Sequence, residues 1–577
     1  MREALLERFR CAVGVLLDEC GDPGEPPDFA LEVSRSPDHG DFACNAALVL
    51  AKRLRQPARA IAERLAAEVR GASDWVERAE VAGPGFVNVW LRDARWHDLL
   101  RRVLEAGRRF GHSKVGDGRR VQVEFVSANP TGPLTLGHGR QGVLGDCIAR
   151  TLEATGHDVT REYYFNDGGR QMRVLGESVK GRYLEQLGRA APPPPGALAD
   201  PDAAWPERID GRPVVFPRDG YQGDYISELA ETLRKRHGDG LVDEPADGIF
   251  RKAAEEAIFA DIRATLEQLG IEFDVYTNEM SLYDEGRIEQ TLEDLRARGV
   301  VYDWDGAVWL RSTELGLERD RVLVKGTGEP TYLLPDVAYH RQKFERGFDV
   351  VIDVQGADHI EQFPFVVAAV RQLGCPADRI ELVMHQFVTL TRSGEQVKQS
   401  TRRATYVTVD ELLSQVGADV FRFFMVQRKA EGHLDFDLDL ATETDWKQNP
   451  AFYLQYAHAR TYGIERKARE QAVALPDAAS VDAAALALQE EIEILKKINE
   501  FPEVVARASA SREPHHLSYY LRELAGLWNP YLQDGVRHRV LSDDAALTSA
   551  RLGLALGVRT VLANGLALLG ISAPERM

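Results

Sequence analysis

The stretch that most restricts how this chain can fold runs from Arg120 to Gly156. RVQVEF, Arg120 to Phe125, alternates apolar and polar residues among β-formers, the pattern of a strand entering a sheet. SANPTGPLTLGHGR, Ser127 to Arg140, then packs two prolines, three glycines and one histidine into a corner, and QGVLGDCIARTLEATG continues with apolar residues at helical spacing. A strand that turns into a helix through such a corner belongs in an α/β sheet, where these loops line the ligand crevice. Gly132, Gly137 and Gly139 remove side-chain bulk, leaving backbone N–H groups open at the positive end of a helix, a cradle of phosphate size. His138 is expected to direct a ring nitrogen at an anion that gains charge during reaction. Taken alone, the stretch also fits a glycine-rich turn carrying an ordinary surface histidine.

One such corner does not account for 577 residues, a length that calls for roughly three or four cores. With 44% hydrophobic and 28% charged residues the composition is that of a packed enzyme. The opening MREALLERFRCAVGVLLDEC mixes acids among its apolar residues, unlike a secretory signal. RLGLALGVRTVLANGLALLGI, interrupted by Arg559 and Asn564, fits a bundle helix better than a membrane span. Five cysteines, spread along the chain without a CxxC pair, argue against structural zinc and a disulfide framework, and point to a reducing, cytoplasmic setting. The net charge of −19 speaks against long-range attraction of a phosphate-rich partner, yet local basic runs such as RKRH at Arg234 to His237 leave that question to the structure.

The pattern along the chain divides it into three. Residues 1–92 alternate helix, strand, helix and a closing strand pair, a small α/β domain. Residues 93–435 open with an amphipathic helix and then alternate strand and helix as a doubly wound, Rossmann-like parallel sheet. An insertion at roughly 190–320 includes the proline-rich Ala191 to Pro217, the strand EFDVYTNE and a hairpin turning at Asp305-Gly306. IELVMHQFVTLT is expected as one strand, and after Asp410 the periodicity becomes helical with no convincing strand. Residues 436–577 are therefore expected as an α-helical bundle.

VTLTRSGEQVKQSTRRATYVTVDELL is a second chemical candidate. Lys398, Ser400, Thr401, Arg402 and Arg403 fall within six residues, ahead of a helix that Thr408 or Asp410 can cap. Its cations suit a leaving pyrophosphate; a solvated basic loop is the plain alternative.

NPTGPLTLGHG, REYYFNDGGRQM, TYLLPDVAYH, GADH, VKQSTRRATYVTVDEL, HLDFDLDLA, NPAFYLQYAHAR and the terminal LGISAPERM occur in this order over essentially the whole chain. Together they resemble the arginyl-tRNA synthetases of the class I aminoacyl-tRNA synthetases. The resemblance implies a Rossmann core that binds ATP, L-arginine and the acceptor end of tRNA(Arg), an N-terminal domain touching the tRNA elbow, and a helical domain gripping the anticodon. It implies formation of arginyl-adenylate and pyrophosphate, then attack by a ribose hydroxyl of the terminal adenosine. Magnesium is expected to come in with ATP, with no structural metal, no membrane partner and a monomeric, cytoplasmic protein.

The class signature departs from its usual form in two places. Thr135 stands where a first histidine is usual, ahead of His138, and the second signature reads Lys398-Gln399-Ser400-Thr401-Arg402, with Arg402 or Arg403 replacing the charge of a second lysine. His138, Thr135, Lys398 and Arg402 are the catalytic candidates, and Gly132, Gly137, His138, Gly139, Lys398 and Ser400 the ATP-binding ones. A paralogue that keeps binding but has lost activation, and a stand-alone nucleotidyltransferase, are the competing functions.

A guanidinium is planar and permanently charged, so its site needs at least one carboxylate in a partly dry cleft. By the resemblance, Glu124 and Asp336 contact it with Tyr332 alongside. The plain alternatives are core packing for Tyr332 and a helix cap for Asp336. Ser127 and Asn129 are expected at the α-ammonium and carboxylate, and Gln355 or His359 at the amine or ribose, while Asn166 and Asp167 line the crevice or cap a loop. Tyr453, Tyr456, His458 and Arg460 lie along one helix and are candidates for stacking on anticodon bases, with bundle core as the alternative for about half of that face. PDHGDF is the N-terminal segment the resemblance places near the D-loop.

Overall fold

The computed structural model describes residues 1–34, 37–71, 74–199, 203–357, 360–397 and 407–577. At its centre five parallel strands lie in the order Ile380–His385, Val350–Gly356, Arg120–Glu124, Asp158–Phe165, Val275–Asn278. The chain starts in the middle, builds outward to one edge, then crosses back to build the other. The order therefore reverses between Arg120–Glu124 and Val350–Gly356, and ligands bind at such a switch point, beyond the carboxyl ends of the strands. The chain is thus multidomain α/β with a Rossmann-like core.

The edge strand Val275–Asn278 lies within EFDVYTNE, the segment expected in the insertion. Four half-buried residues carry no alternation that distinguishes a sheet edge from a local hairpin, so pairing with Asp158–Phe165 decided the matter. What does project from the core is the helical layer Gly169–Gln186, Asp224–His237 and Arg251–Gln268, and an antiparallel sheet of Val301–Trp304, Ala307–Leu310 and Arg321–Val324. Its hairpin turns at Asp305-Gly306, with φ of 49° and 73°, the left-handed pair a two-residue turn requires.

Two strand expectations change. IELVMHQFVTLT breaks into Ile380–His385, which stays in the central sheet, and Val388–Arg392, which does not. Leu434–Asp437 is a strand after Asp410, parallel to Val388–Arg392, so the helical stretch is interrupted. The break is pinned by Arg140, whose buried guanidinium donates to the carbonyls of Gln386 at 2.7 Å and of Lys429 and Gly432 at 3.0 Å.

The N-terminal antiparallel sheet, in the order Leu31–Val33, Phe42–Cys44, Phe86–Leu91, Val76–Ala82, carries helices Arg2–Glu19, Ala46–Leu54 and Ala58–Gly71. It docks on the C-terminal helices: Asp41 of PDHGDF is buried and pairs with Lys496 Nζ at 2.5 Å, and Leu91 N–H donates to it at 2.7 Å. That acid has a packing job. Four long helices, Pro450–Glu470, Gln489–Ser511, His515–Tyr531 and Ala545–Leu568, make the bundle. Ala545–Leu568 is apolar and long enough to cross a membrane, but 61% of its most apolar window is buried inside the protein. Its polar interruptions are used within the fold. Arg559 pairs with Glu465, and Asn564 Nδ2 donates to the carbonyls of Gly107 and Phe110.

Candidate active site at the sheet switch point

Thr135 is the N-cap of helix Leu136–Ala154, and its box is closed by His138 in place of the usual glutamate. The Thr135 side chain accepts from the backbone at His138, and Thr135 N–H donates to His138 Nδ1 at 3.2 Å. A ring that accepts at Nδ1 carries its proton on Nε2 when neutral, so His138 offers a donor there. Gly139 is buried, and a Cβ there would meet Phe421 at 2.7 Å, whereas at Gly137 the nearest atom is Thr135 Oγ1 at 3.7 Å. Gly132 lies half-buried in the bend between Asn129 and the helix. Thr408, the cap of helix Val409–Val426, forms a bridge with Thr135, and Val409 N–H donates to Leu134 O at 2.9 Å. Lys398, Ser400, Thr401, Arg402, Arg403 and His359 lie outside the described residues.

Between strand and cradle the backbone is strained. Val126 and Ser127 have φ of 66° and 42°, unusual for a β-branched residue and costing about 1–3 kcal/mol each. Hydrogen bonds hold them there. Ser127 Oγ donates to Glu124 Oε1 at 2.9 Å and accepts from Tyr164 N–H at 3.2 Å. Asn129 Oδ1 accepts from Asn166 N–H at 3.0 Å, and Asn129 Nδ2 donates to Gln171 at 2.9 Å.

Helix Leu333–Glu345 lies over the switch point, with Tyr332 as its N-cap and 70% exposed. Asp336 N–H donates to Tyr332 O at 3.3 Å, so the helical turn forms and the two residues share a face; Pro335 sits where no intrahelical N–H bond is lost. Asp336 accepts from Gln362 Nε2. Burial, reinforced by Glu124 and Glu279 nearby, pushes its carboxyl up to about 7 against the pull of His340 and Gln362.

Glu279 was not singled out in the sequence. It is buried at the first position of helix Glu279–Asp284, accepts from Tyr164 Oη at 2.9 Å and Asn166 Nδ2 at 2.8 Å, and burial raises its carboxyl above the usual range. Its only sequence signal was an acid following the strand end of EFDVYTNE, an element assigned to the insertion. Asp167 faces the same side and accepts from Asn278 Nδ2 at 2.5 Å. Gln355 is half-buried near the end of its central strand.

Glu124, expected at the guanidinium, also has partners within the fold. Its carboxylate is taken by Lys343 Nζ at 2.6 Å and by Ser127, whereas no lysine or arginine among the described residues pairs with Asp336 or Glu279.

In the C-terminal domain Trp446 stacks on Tyr456 at 3.8 Å and lies parallel to Tyr453 at 6.0 Å. A cleft of about 620 Å³ next to them is lined by Tyr456, Arg460, Arg466, Lys467 and Arg576. Arg460 lies over the Tyr456 ring, 5.6 Å from its centre, and donates to the carbonyls of Asn529 at 2.9 Å and Leu532 at 3.0 Å. His458 is core, 2% exposed and bonded to Pro574 O at 2.9 Å. Lys467 lies eleven residues beyond Tyr456, three helical turns along the same face, a spacing legible in the sequence.

Residues 3–91 match the arginyl tRNA synthetase N terminal domain, residues 100–192 and 230–427 the catalytic domain of the class I (R) tRNA synthetases, and residues 454–577 the DALR anticodon binding domain. The chain is 47% identical to the arginine–tRNA ligase of Desulfotalea psychrophila over 582 residues, covering 99% of this chain and all of the relative. The chain belongs to the arginyl-tRNA synthetase family. The synthetase is also 48% identical to the Salinibacter ruber arginine–tRNA ligase, covering 99% of each chain, and matches the solved Thermus thermophilus arginyl-tRNA synthetase with a TM-score of 0.73 at 26% identity over the full length of both. It is an arginine–tRNA ligase, using ATP to join L-arginine to tRNA. The nucleotidyltransferase alternative, which left the helical third without a job, falls with the DALR match.

Proposed function

We propose that this arginine–tRNA ligase binds the arginine side chain between Asp336 and Glu279, with Tyr332 closing over it. One observation carries this. At the switch point the half-buried Asp336 and the buried Glu279 have no lysine or arginine partner among the described residues, so a substrate guanidinium supplies the missing charge. Ser127, Asn129 and Gln355 are within reach of the α-ammonium and carboxylate, and Asn166 holds the Glu279 carboxylate from the side.

ATP lies across the corner, its phosphates against the first turn of helix Leu136–Ala154 at Gly137 and the His138 ring, with Gly132 opening the approach. The arginine carboxylate attacks the α-phosphorus, pyrophosphate leaves, and His138 donates from Nε2 to oxygens on which negative charge grows. Thr135 fixes that ring. Lys398, Ser400 and Arg402 meet the departing pyrophosphate. The described part of the corner offers amides, Thr135 and His138 rather than the carboxylates a protein-held magnesium takes, so the ion rides on the ATP phosphates and neutralises their charge. Glu513, His515 and His516 lie close enough to share an ion, but Lys429 Nζ already pairs with Glu513 at 3.0 Å.

The tRNA enters along all three domains, 1–92, 93–435 and 436–577, with Tyr453, Tyr456 and the Arg460 wall receiving the anticodon. The enzyme works as a cytoplasmic monomer without a membrane partner. Arginine-dependent exchange of pyrophosphate into ATP, measured with tRNA(Arg) present, tests the assignment. Exchange is expected; tRNA binding with no exchange above background would mean a paralogue that has lost activation.

A further inference from the structure

Three carboxylates stand in a row across the central sheet. Asp353 is paired in register with Glu124, and Glu124 with Glu162, on three adjacent parallel strands. In a sheet such neighbours share a face, so three acids crowd together beneath helix Leu333–Glu345. That helix answers with cations. Arg346 pairs with Glu162 at 2.7 Å, His340 Nε2 with Asp353 at 2.6 Å, and Lys343 Nζ bridges Glu124 at 2.6 Å and Asp353 at 2.8 Å. The Lys343 side chain is 0% exposed and its ammonium also lies 4.3 Å from the centre of the Tyr339 ring.

The bridge connects to the strained corner. The second oxygen of Glu124 is the one that accepts from Ser127 Oγ, and Ser127 Oγ in turn accepts from Tyr164 N–H. Val126 and Ser127 keep their left-handed backbone through this chain of bonds, and their direction sets where Asn129 and the amides of the cradle lie.

We propose that Lys343 is a positioning residue for arginine activation: acting through Glu124 and Ser127, it holds the strand-to-helix corner in the geometry that presents substrate to the nucleotide. The inference rests on the placement of the amino-acid site at this corner. Lys343 touches no reactant. Its charge favours the ionised form of Glu124 against burial, and an ionised Glu124 is a pure acceptor that orients the Ser127 hydroxyl one way. A protonated Glu124 turns that oxygen pair into a donor and an acceptor, and the orientation is lost.

The groups facing Glu124 give the direction of its titration. Burial raises its carboxyl, as does Asp353 on the adjacent strand, while Lys343 and His340 on the helix lower it. Glu162 on the other neighbouring strand is matched by Arg346, and Asp336 and Glu279 add negative charge from the pocket side. Removing Lys343 therefore leaves Glu124 protonated at higher pH, and activity falls off from the acidic side sooner.

The test compares arginine-dependent pyrophosphate exchange, with tRNA(Arg), across pH for the full-length wild type, Lys343→Met, Glu124→Gln and the double variant, with melting followed in parallel. Lys343→Met is expected to lower kcat about 10- to 100-fold and to move the acidic limb up by about 1–3 pH units. In the Glu124→Gln background the same change is expected to cost little and to leave the limb in place, because the group through which Lys343 acts no longer titrates. An equal loss in both backgrounds, or an unmoved limb, overturns the proposal. If Lys343→Met does not fold, the comparison of Glu124→Gln with the double variant stands alone, since a further tenfold loss there also overturns it. Full exchange in Glu124→Gln also overturns the inference, whereas the amino-acid site itself is tested separately by Asp336→Asn and Glu279→Gln.

Discussion

Thr135 and Thr408 pair across an isolated antiparallel bridge, although each is the N-cap of a different helix. The caps of Leu136–Ala154 and Val409–Val426 are thereby tied together, and only Val407 separates Thr408 from the undescribed residues 398–406. The second class signature thus leads straight into a contact with the first.

Thr408→Ala removes the hydroxyl that accepts from Glu411 N–H at 3.2 Å and opens the capping box. The expected cost is about 0.5–2 kcal/mol of stability, read as a lower melting temperature. Because the bridge to Thr135 is made by backbone, the KM for ATP should change less than threefold, a figure on the order of the residual strain a lost cap leaves. A large KM change with unaltered melting would contradict this division.

Arginine binding should release protons near neutrality. The Asp336 carboxyl, raised to about 7 in the empty pocket, is partly protonated there, and a guanidinium beside it favours the ionised form. Binding therefore weakens as pH falls below about 7, and the KM for arginine rises on that side. Calorimetry in buffers of different ionisation enthalpy measures the release directly. Equal heats in all buffers would show that Asp336 does not meet the substrate.

Asp336→Asn separates stability from function. An acid whose carboxyl is raised in the fold opposes folding increasingly as pH climbs from the unfolded value of about 3.9 towards 7. The neutral amide removes that opposition, so melting at pH 8 should rise while arginine activation is lost. Glu279→Gln should raise the KM for arginine about 10- to 100-fold, the loss of one charge-assisted hydrogen bond. A Glu279→Gln enzyme with unchanged KM would move the guanidinium elsewhere.

The two glycines flanking His138 should behave oppositely. Gly139→Ala drives a methyl to within 2.7 Å of Phe421 and should destabilise by about 1–3 kcal/mol. Gly137→Ala finds its nearest neighbour at 3.7 Å and should fold normally, yet weaken ATP binding by crowding the phosphates. Melting curves and ATP titrations on both proteins distinguish the two effects. Normal ATP binding in Gly137→Ala would remove the cradle from the nucleotide site.

Lys467→Ala should weaken tRNA binding similarly for cognate and non-cognate tRNA, and reduce the salt dependence of binding by about one unit of slope. Trp446→Ala should discriminate between tRNAs, since it removes the ring stacked on Tyr456. An unchanged salt slope in Lys467→Ala would place the phosphates away from the cleft.

Features set by neighbours a few residues apart were legible from the chain alone. The proline and glycine spacing of Ser127 to Arg140, the cap at Thr408 and the Asp305-Gly306 turn follow from backbone preferences that act locally, and so does the helical spacing that aligns Tyr332 with Asp336. The order of eight motifs then pointed to the family. Partnership between distant groups was decided only by tertiary structure. Lys343 meets Glu124 across 219 residues of sequence, Arg460 meets carbonyls 69 and 72 residues on, and Val275–Asn278 becomes a sheet edge by pairing with a strand more than a hundred residues earlier. Which carboxylate is already neutralised, and which awaits a substrate, depends on charges a few ångströms away in space. Residue spacing carries no record of those distances until the sheet has brought its strands together.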